Sequence, residues 1–350
     1  MNKLLLPTIA LAVGLLAPVT SLDACTRVLH VSKDNKYTIT GRNMDWYLRY
    51  PTKFWKFPKG LQRNGLTKKN PLQWVSKYGS LVLIQTAEGQ SAIADGMNEK
   101  GLVANLLYLT ETEYPTRDIK KSGVASSIYL QYILDNFSSV AEAVATIQKG
   151  EFQIVPVSIP NSDHLPTMHF SLSDASGDSA IIELLDGKTI IHHNRSYQVM
   201  TNSPTYEKQL ALNTYWEAIG GNTFLPGTRK SADRFIRASY YNKMLPPSKN
   251  YKEAVAGVMS VMRNTSSPMG EADPSKPNIS MTQWRVVDDH KNLIMFFEST
   301  ISPSVIWIDM KKFDFSKGSD IRALSADDDT LSGEITNTFK KSKNMEFARP

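Results

Sequence analysis

Alternating apolar and polar positions recur along the chain after its N-terminal segment, and they predict short β-strands gathered in clusters. The first cluster is a hairpin, with strands over 25–31 and 37–40 joined by the polar turn Lys-Asp-Asn-Lys at 33–36. Further strands are predicted at 152–157, 168–173, 179–185, 189–192, 283–287, 293–298 and 305–309.

Apolar residues at helical spacing predict helices between these strand clusters. The predicted helices span 124–137, 140–149, 206–219, 232–245 and 252–262. Ser139 and Glu142 have the spacing of a capping box. Strand clusters that alternate with helix pairs are typical of a layered α+β domain. Residues 316–350 are polar and charged, and we expect them to form a loosely held tail.

The first 24 residues have the pattern of a secretory signal peptide. Lys3 precedes an uncharged apolar run over 4–16, and Pro18 ends that run before Ala24. The run is too short to cross a bilayer as a helix, and no later stretch reaches the roughly twenty apolar residues that a span needs. We therefore expect export to a periplasm or to the medium, and no stable membrane span. A buried N-terminal helix is the alternative.

Composition narrows the class of protein without identifying its chemistry. Hydrophobic residues make up 41% of the 350 residues and charged residues 21%, which suits a chain that buries a core. The formal net charge is +6, but no basic run is interleaved with aromatic residues, so nucleic acid is not an expected partner. No His-Glu-x-x-His or paired-cysteine motif is present, and we expect neither a metal nor another cofactor.

A single cysteine, Cys25, stands at the predicted cleavage junction. Exported proteins usually carry paired cysteines or none, so a lone cysteine there has three interpretations. It is an incidental buried residue, a lipid-modified anchor, or a nucleophile uncovered as the first residue of the mature protein. Residues 22–25 (Leu-Asp-Ala-Cys) partly resemble a bacterial lipobox, although Asp23 is atypical of one. The junction alone leaves the anchor and the nucleophile open.

An N-terminal cysteine combines the two groups that amide hydrolysis needs, a nucleophile and a base for its proton. A free α-amino group titrates near about 8 and a thiol near about 8.5, so both lie close to working pH. Such a site also needs positive charge beside the thiol, a carboxylate beside the amine, and donors for the oxyanion. The predicted hairpin brings Arg42 and Asp45 near Cys25, although a surface Arg–Asp pair at a strand end is the common alternative.

Six short motifs follow one another along the chain. They are Cys-Thr-Arg at 25–27, Gly-Arg-Asn-Met-Asp-Trp at 41–46, Asp-Gly-Met-Asn-Glu-Lys-Gly-Leu at 95–102, Thr-Asn-Ser-Pro at 201–204, Asp-Arg-Phe-Ile-Arg at 233–237 and Gln-Trp-Arg-Val-Val-Asp at 283–288. Together they resemble the choloylglycine hydrolase family, which contains penicillin V acylases and conjugated bile salt hydrolases. The resemblance implies an α+β fold, a four-layer αββα sandwich of the N-terminal-nucleophile hydrolase type, with one catalytic domain over 25–315.

The resemblance also implies roles for individual residues. Cys25 would be the nucleophile and its amine the base. Asp45 would hold that amine, and Arg42 would favour the thiolate. Asn202 would donate its side-chain amide to the oxyanion, and Arg234 would support the charges of the site.

One position varies within the family, with Asn in bile salt hydrolases and Tyr in penicillin V acylases. Tyr108 aligns with this position, and its backbone amide would be the second oxyanion donor. Asn105 is the alternative in a neighbouring register. Trp46 directly follows Asp45 and is a candidate for lining a pocket that binds a hydrophobic acyl group, with a core position as the alternative.

The chain also departs from the family pattern. Leu22 occupies a cleavage position where small residues are usual, so earlier cleavage followed by trimming of a short pro-segment is an alternative. The interval between Asn202 and Arg234 is shorter than in Gram-positive members, which use an insertion there to assemble a tetramer. We therefore expect the Gram-negative branch. The shorter interval argues against the tetramer of the Gram-positive members, and whether the chain forms a homo-oligomer stays open. That branch has been linked to cleavage of acyl-homoserine lactones as well as penicillin V.

Three hypotheses for function result. The first is an exported cysteine acylase that cleaves a secondary amide with a hydrophobic acyl group, as in penicillin V or an acyl-homoserine lactone. The second applies the same chemistry to conjugated bile salts. The third is a lipid-anchored binding protein without catalytic activity, in which acylation of Cys25 abolishes both nucleophile and base.

Overall fold

A computed structural model describes residues 25–158, 166–221, 223–270 and 280–350 of the chain. The strands are β1 (Thr26–Val31), β2 (Thr38–Trp46), β3 (Thr52–Phe57), β4 (Gln62–Asn64), β5 (Gln73–Val75), β6 (Ser80–Ala87), β7 (Gln90–Asn98), β8 (Val103–Tyr108), β9 (Ser122–Ala125), β10 (Phe152–Val155), β11 (Met168–Ser173), β12 (Ser179–Leu185), β13 (Lys188–His193), β14 (Val199–Met200), β15 (Met281–Asp289), β16 (Ile294–Ser299), β17 (Val305–Asp309), β18 (Arg322–Ser325), β19 (Gly333–Glu334) and β20 (Lys340–Lys341). The α-helices are α1 (Tyr129–Asn136), α2 (Val140–Gln148), α3 (Tyr206–Ile219), α4 (Ser231–Met244) and α5 (Tyr251–Asn264).

The predicted signal peptide and the predicted lack of a membrane span concern different parts of the chain. The predicted signal peptide, 1–24, lies outside the described residues. Across the described ranges, no helix is both long enough and apolar enough to cross a membrane.

Two large sheets stack on each other, and helices cover both outer faces. One sheet has seven strands in the order β14-β1-β2-β15-β16-β17-β19, and the other has nine in the order β13-β12-β11-β8-β7-β6-β3-β18-β20. Helices α1 and α2 pack on the nine-stranded sheet, whereas α4 and α5 pack on β1, β2 and β15 of the seven-stranded sheet. The chain therefore forms a four-layer αββα sandwich, and the predicted fold class is confirmed.

Side-chain alternation along the inner strands builds two separate cores. Leu81 and Leu83 of β6 belong to the apolar cluster that joins the two sheets. Val82 and Ile84 belong to the cluster that joins the nine-stranded sheet to α1 and α2. A strand that is covered on both faces needs apolar residues at every position, which the run Leu-Val-Leu-Ile supplies.

Most predicted elements are confirmed, and the differences arise where strands pair. The strands β11, β12 and β17 and helix α3 have the predicted bounds. Residues 124 and 125, predicted to begin a helix, instead belong to β9, which pairs with β10. The second strand of the hairpin was predicted to end at Thr40, but β2 continues to Trp46 because β15 pairs along its other edge.

The prediction of a loosely held tail over 316–350 is wrong. In this segment β18 pairs with β3 and β20 in the nine-stranded sheet, and β19 pairs with β17 in the seven-stranded sheet. Phe339 and Phe347 are buried. A few apolar residues among many polar ones are enough to fasten the segment, because β19 and β20 lie at sheet edges and keep polar side chains in water.

Gly101 provides a test of the turn between β7 and β8. Its φ is 78°, and an added Cβ would lie 2.4 Å from the backbone carbonyl oxygen of His290, which cannot rotate away. Gly101→Ala should therefore lower the free energy of unfolding by on the order of 3 kcal/mol, measured by urea denaturation. Gly89→Ala is the matched control, because Gly89 has a φ of 79° with nothing within 4 Å of the added Cβ. The control should lose only about 1–2 kcal/mol, and equal losses would contradict the close approach.

Candidate active site

Cys25 is buried at the beginning of β1, with only 3% of its surface exposed. Its Sγ lies 3.6 Å from Nη2 of Arg42 and 3.8 Å from Sδ of Met44. The carbonyl oxygen of Asp45 is also 3.8 Å from this sulfur. Burial raises the pKa of the Cys25 thiol, and the Arg42 guanidinium acts in the opposite direction.

Successive side chains of strand β2 point to opposite faces of the sheet near Cys25. Arg42 and Met44 point to the interior between the sheets, where they contact the sulfur. Asn43 points to the helical side and donates to the carbonyl oxygen of Met262 in α5. Asp45 follows at the same parity as Asn43 and lies 3.9 Å from Arg234 of α4. One continuous strand thus places a cation and a carboxylate on opposite sides of the cysteine.

Arg42 is fully buried and is held in place by several partners. Its Nη2 donates to the carbonyl oxygen of Leu106 at 2.8 Å. Its guanidinium lies over the ring of Trp284 at 4.6 Å. Its Nε is 3.9 Å from Oδ2 of Asp95. These contacts fix the cation beside the sulfur rather than leaving it to sample other rotamers.

Asp95 belongs to a hydrogen-bond chain behind Arg42. Its Oδ2 accepts from Nδ2 of Asn105 at 2.7 Å, and Oδ1 of Asn105 accepts from Ser171 at 3.0 Å. Burial raises the pKa of Asp95 to about 6, against the lowering effect of Arg42. The side chain of Asn105 is therefore occupied by Asp95 and Ser171.

Asp45 is buried, and in the described part of the chain only one of its two carboxylate oxygens accepts a hydrogen bond. Oδ1 accepts a 2.6 Å hydrogen bond from Thr282, which pairs with Asp45 across β2 and β15. Oδ2 has no hydrogen-bond partner in the described part of the chain, and the nearest cation is Arg234 at 3.9 Å. A buried carboxylate oxygen without a donor is rare, and this one is available to accept a further hydrogen bond.

Arg234 and Asn202 form the side of the site that faces α4. Arg234 donates through Nη1 to the carbonyl oxygen of Cys25 and, at 2.6 Å, to Oγ1 of Thr26. Its Nη2 donates to Oδ1 of Asn202 at 2.8 Å. Nδ2 of Asn202 in turn donates to the carbonyl oxygen of Tyr108 at 2.6 Å. Arg234 thereby fixes which end of the Asn202 amide faces β8.

The backbone N–H and carbonyl of Tyr108 lie on the edge of β8 that Asn202 contacts. Leu109 donates to Thr167 across β8 and β11, so the hydrogen-bonded pairs of this ladder fall on odd-numbered residues of β8. The N–H and the carbonyl of Tyr108 therefore both point away from β11. The carbonyls of Leu106 and Tyr108 on this edge accept from the site side chains described above.

A mostly apolar cavity of about 160 Å³ opens beside Cys25. Its wall includes Trp46, Tyr108, Ile93 and Met168. The rings of Trp46 and Tyr108 lie 5.7 Å apart between centroids. Of the predicted site residues, Cys25, Arg42, Trp46 and Tyr108 line the cavity, whereas Asp45, Asn105, Asn202 and Arg234 lie outside its lining. Such a cavity suits an apolar group attached to an atom that the sulfur can reach.

Sequence reasoning missed three residues that complete this arrangement. Met44 contacts both the sulfur and Arg42, Thr282 holds Asp45, and Trp284 covers Arg42. Met44 and Trp284 lie within recognised motifs, and Thr282 immediately precedes one. Their roles depend on the pairing of β2 with β15, a contact between distant parts of the chain that no local pattern reveals.

The four-layer sandwich, with this cysteine at the head of an inner strand, defines the class of N-terminal-nucleophile hydrolase folds. A family model for linear amide C–N hydrolases, choloylglycine hydrolase family, matches residues 25–326. The chain therefore belongs to the choloylglycine hydrolase family and is a hydrolase of linear amide C–N bonds.

Relatives of known structure or function support this membership over nearly the whole chain. A penicillin V acylase of Pectobacterium atrosepticum is 44% identical, covering 93% of this chain and 92% of that protein. A solved penicillin V acylase from Agrobacterium tumefaciens has a TM-score of 0.85 at 46% identity, covering 93% of this chain and 100% of that one. A bile salt hydrolase/transferase of Clostridium perfringens is 27% identical, covering 92% of this chain and 98% of that protein.

Removing the charge of Arg42 should change the titration of the thiol. Because Arg42 lowers the pKa of Cys25 against the effect of burial, Arg42→Gln should raise that pKa. The rate of alkylation by iodoacetamide should then begin to rise at a higher pH than in the wild type. Cys25 is the chain's one cysteine, so mass spectrometry reports this thiol alone.

Arg263→Gln is the matched control for net charge. Arg263 is on α5, with 52% of its side chain exposed. Its loss removes the same charge from the protein without touching the site, and a surface charge is largely screened. The control should alkylate like the wild type. Superimposable pH profiles for the wild type and Arg42→Gln would contradict the proposed electrostatic influence.

Proposed function

We propose that the protein is an exported penicillin V acylase-like enzyme whose nucleophile is the thiol of Cys25. Removal of residues 1–24 would make Cys25 the first residue of the mature chain. The observation that carries the proposal is the division of charge around it, with Arg42 at the sulfur and Asp45 on the opposite side. This is the arrangement that a thiol nucleophile and an amine base on one residue require.

The α-amino group of Cys25 would serve as the general base. The open Oδ2 of Asp45 is a suitable acceptor for that amine, and Thr282 holds the carboxylate in position. A free α-amino group has a pKa near about 8, so it can accept the thiol proton at neutral pH and return it afterwards. Asp45 would orient the amine and stabilise its protonated form.

The reaction would proceed through a thioester. The sulfur attacks the carbonyl carbon of the scissile amide, and the amine takes the thiol proton. Asn202 and the backbone N–H of Tyr108 donate to the oxyanion. The ammonium group then gives its proton to the leaving nitrogen, the C–N bond breaks, and the acyl group remains on Cys25. Water, activated by the same amine, hydrolyses the thioester and restores the thiol.

The cavity beside the sulfur would bind the acyl part of the substrate. Its apolar wall, with Trp46 and Tyr108 near Cys25, suits an aryl or alkyl group better than a charged one. The higher identity to penicillin V acylase than to the bile salt enzyme supports a phenoxyacetyl group as the acyl part. Fatty acyl chains, as in acyl-homoserine lactones, share this apolar character and form a second candidate class.

Two alternatives are less well supported. A conjugated bile salt would use the same catalytic groups, and its support is the more distant relatives named for that activity. A lipid anchor on Cys25 would require the sulfur to leave its buried place between the sheets, where Arg42 and Met44 contact it. The burial of this sulfur therefore favours the nucleophile over the anchor.

A comparison of substrates tests the proposal directly. The mature protein, starting at Cys25, is assayed with penicillin V, glycocholate and a long-chain acyl-homoserine lactone. We expect penicillin V to have the highest kcat/KM. Cys25→Ser should lose on the order of a thousandfold or more in turnover, because a serine hydroxyl is far less acidic than a thiol. Preference for glycocholate would overturn the substrate class, and near-normal turnover by Cys25→Ser would overturn the nucleophile.

Asn202→Ala tests the oxyanion assignment separately. Loss of one donor should lower kcat by about a hundredfold to a thousandfold with a smaller change in KM. Asn242→Ala is the matched control, because Asn242 is a buried amide that donates to the carbonyl oxygen of Leu29 away from the sulfur. The control should fall in stability but keep its turnover. A loss below about threefold in Asn202→Ala would assign that residue another role.

A further inference from the structure

The end of the chain contributes to the wall of the cavity. Residues 344–350, which we name the C-terminal strap, have no regular secondary structure. Ala348 of the strap lies on the wall of the same cavity that contains Cys25. Phe347 and Ala348 are only 7% and 9% exposed. Both belong to the apolar cluster between the nine-stranded sheet and helices α1 and α2, and Met345 packs against it.

Two backbone hydrogen bonds fasten the strap to the cavity wall. The N–H of Ala348 donates to the carbonyl oxygen of Ser91 at 2.9 Å. The carbonyl oxygen of Ala348 accepts from Oγ of Ser127 at 2.6 Å. Ser91 and Ser127 also line the cavity and are buried. The strap is therefore attached to the residues whose wall it completes.

Strand β7 connects the neighbourhood of the reacting sulfur with the residue that binds the strap. Asp95 lies beside Arg42, which contacts the sulfur, whereas Ser91 binds Ala348 four residues earlier on the same strand. Four strand residues span about 13 Å. The strap thus contacts the cavity wall about 13 Å along β7 from the residue beside Arg42, on a part of the wall that the tail of an acyl group bound at Cys25 would reach.

We propose that the C-terminal strap is the end wall of the acyl pocket and limits the length of the acyl group that the enzyme accepts. The inference rests on the proposed function, because the cavity must receive the acyl group. The anchoring by Phe347 and two hydrogen bonds makes this wall a fixed part of the pocket. Acyl groups that stop before Ala348 fit, whereas longer ones collide with the strap.

Opposite changes in the strap should shift the preference in opposite directions. The substrates are acyl-homoserine lactones from hexanoyl to tetradecanoyl, which share one leaving group. Deletion of residues 344–350 should raise the ratio of kcat/KM for tetradecanoyl over hexanoyl by about tenfold or more. Ala348→Leu should lower the same ratio by a similar factor, because it shortens the pocket.

Two controls separate pocket length from general damage. Glu346→Ala and Arg349→Ala change exposed strap residues and keep Ala348, so both should retain the wild-type ratio. Ala348→Leu keeps the anchor Phe347 and tests the wall even if the full deletion unfolds. A folded wild-type enzyme that cleaves the series, with the same ratio in Ala348→Leu, would overturn the strap alone. A wild type that cleaves penicillin V but no member of the series would overturn the strap as a limit on acyl length, whereas one that cleaves neither would overturn the proposed function.

Discussion

Strand β2 is paired on both of its edges, with β1 on one side and β15 on the other. Pairing on both edges extends to Asn43, and pairing with β15 continues the strand to Trp46, past the position where the local pattern predicts its end. Alternation then continues through Arg42 and Asp45, which sends the guanidinium toward the sulfur and the carboxylate toward α4. If β2 ended at Thr40, these side chains would lie on a loop, and strand alternation would no longer set their directions. The placement of charge around Cys25 is thus a consequence of strand pairing.

The buried charges depend on one another for their stability. Arg42 lies near Asp95, and Arg234 lies near Asp45, so each cation in the site has a carboxylate within 4 Å. Breaking such a buried pair by removing one partner typically costs about 3–5 kcal/mol, because the other charge is left desolvated. The site therefore constrains the fold as well as the chemistry. Burial also affects Cys25, because it raises the pKa of the thiol. Arg42 opposes this effect.

Local patterns predicted the parts of the fold and the site that depend on neighbours in sequence. The hairpin brought Arg42 and Asp45 to Cys25, and the helices followed from apolar spacing. The strand β6 (Ser80–Ala87) was not predicted, because a strand buried on both faces lacks the alternation that identifies strands. Thr282 was missed because its contact with Asp45 joins distant parts of the chain. The segment 316–350 was misjudged because composition does not show where a few apolar residues dock.

The boundaries of the family match divide the pocket into two parts. The match covers 25–326, which includes the sulfur and the charged groups that surround it. The strap at 344–350 lies beyond that match, yet Ala348 faces the same cavity as Cys25. The reaction class thus follows from the matched region, whereas the proposed end wall lies in a segment outside that match. Because specificity in an apolar pocket turns on the space at its end, a change of a few strap residues can redirect the enzyme without disturbing its catalytic groups.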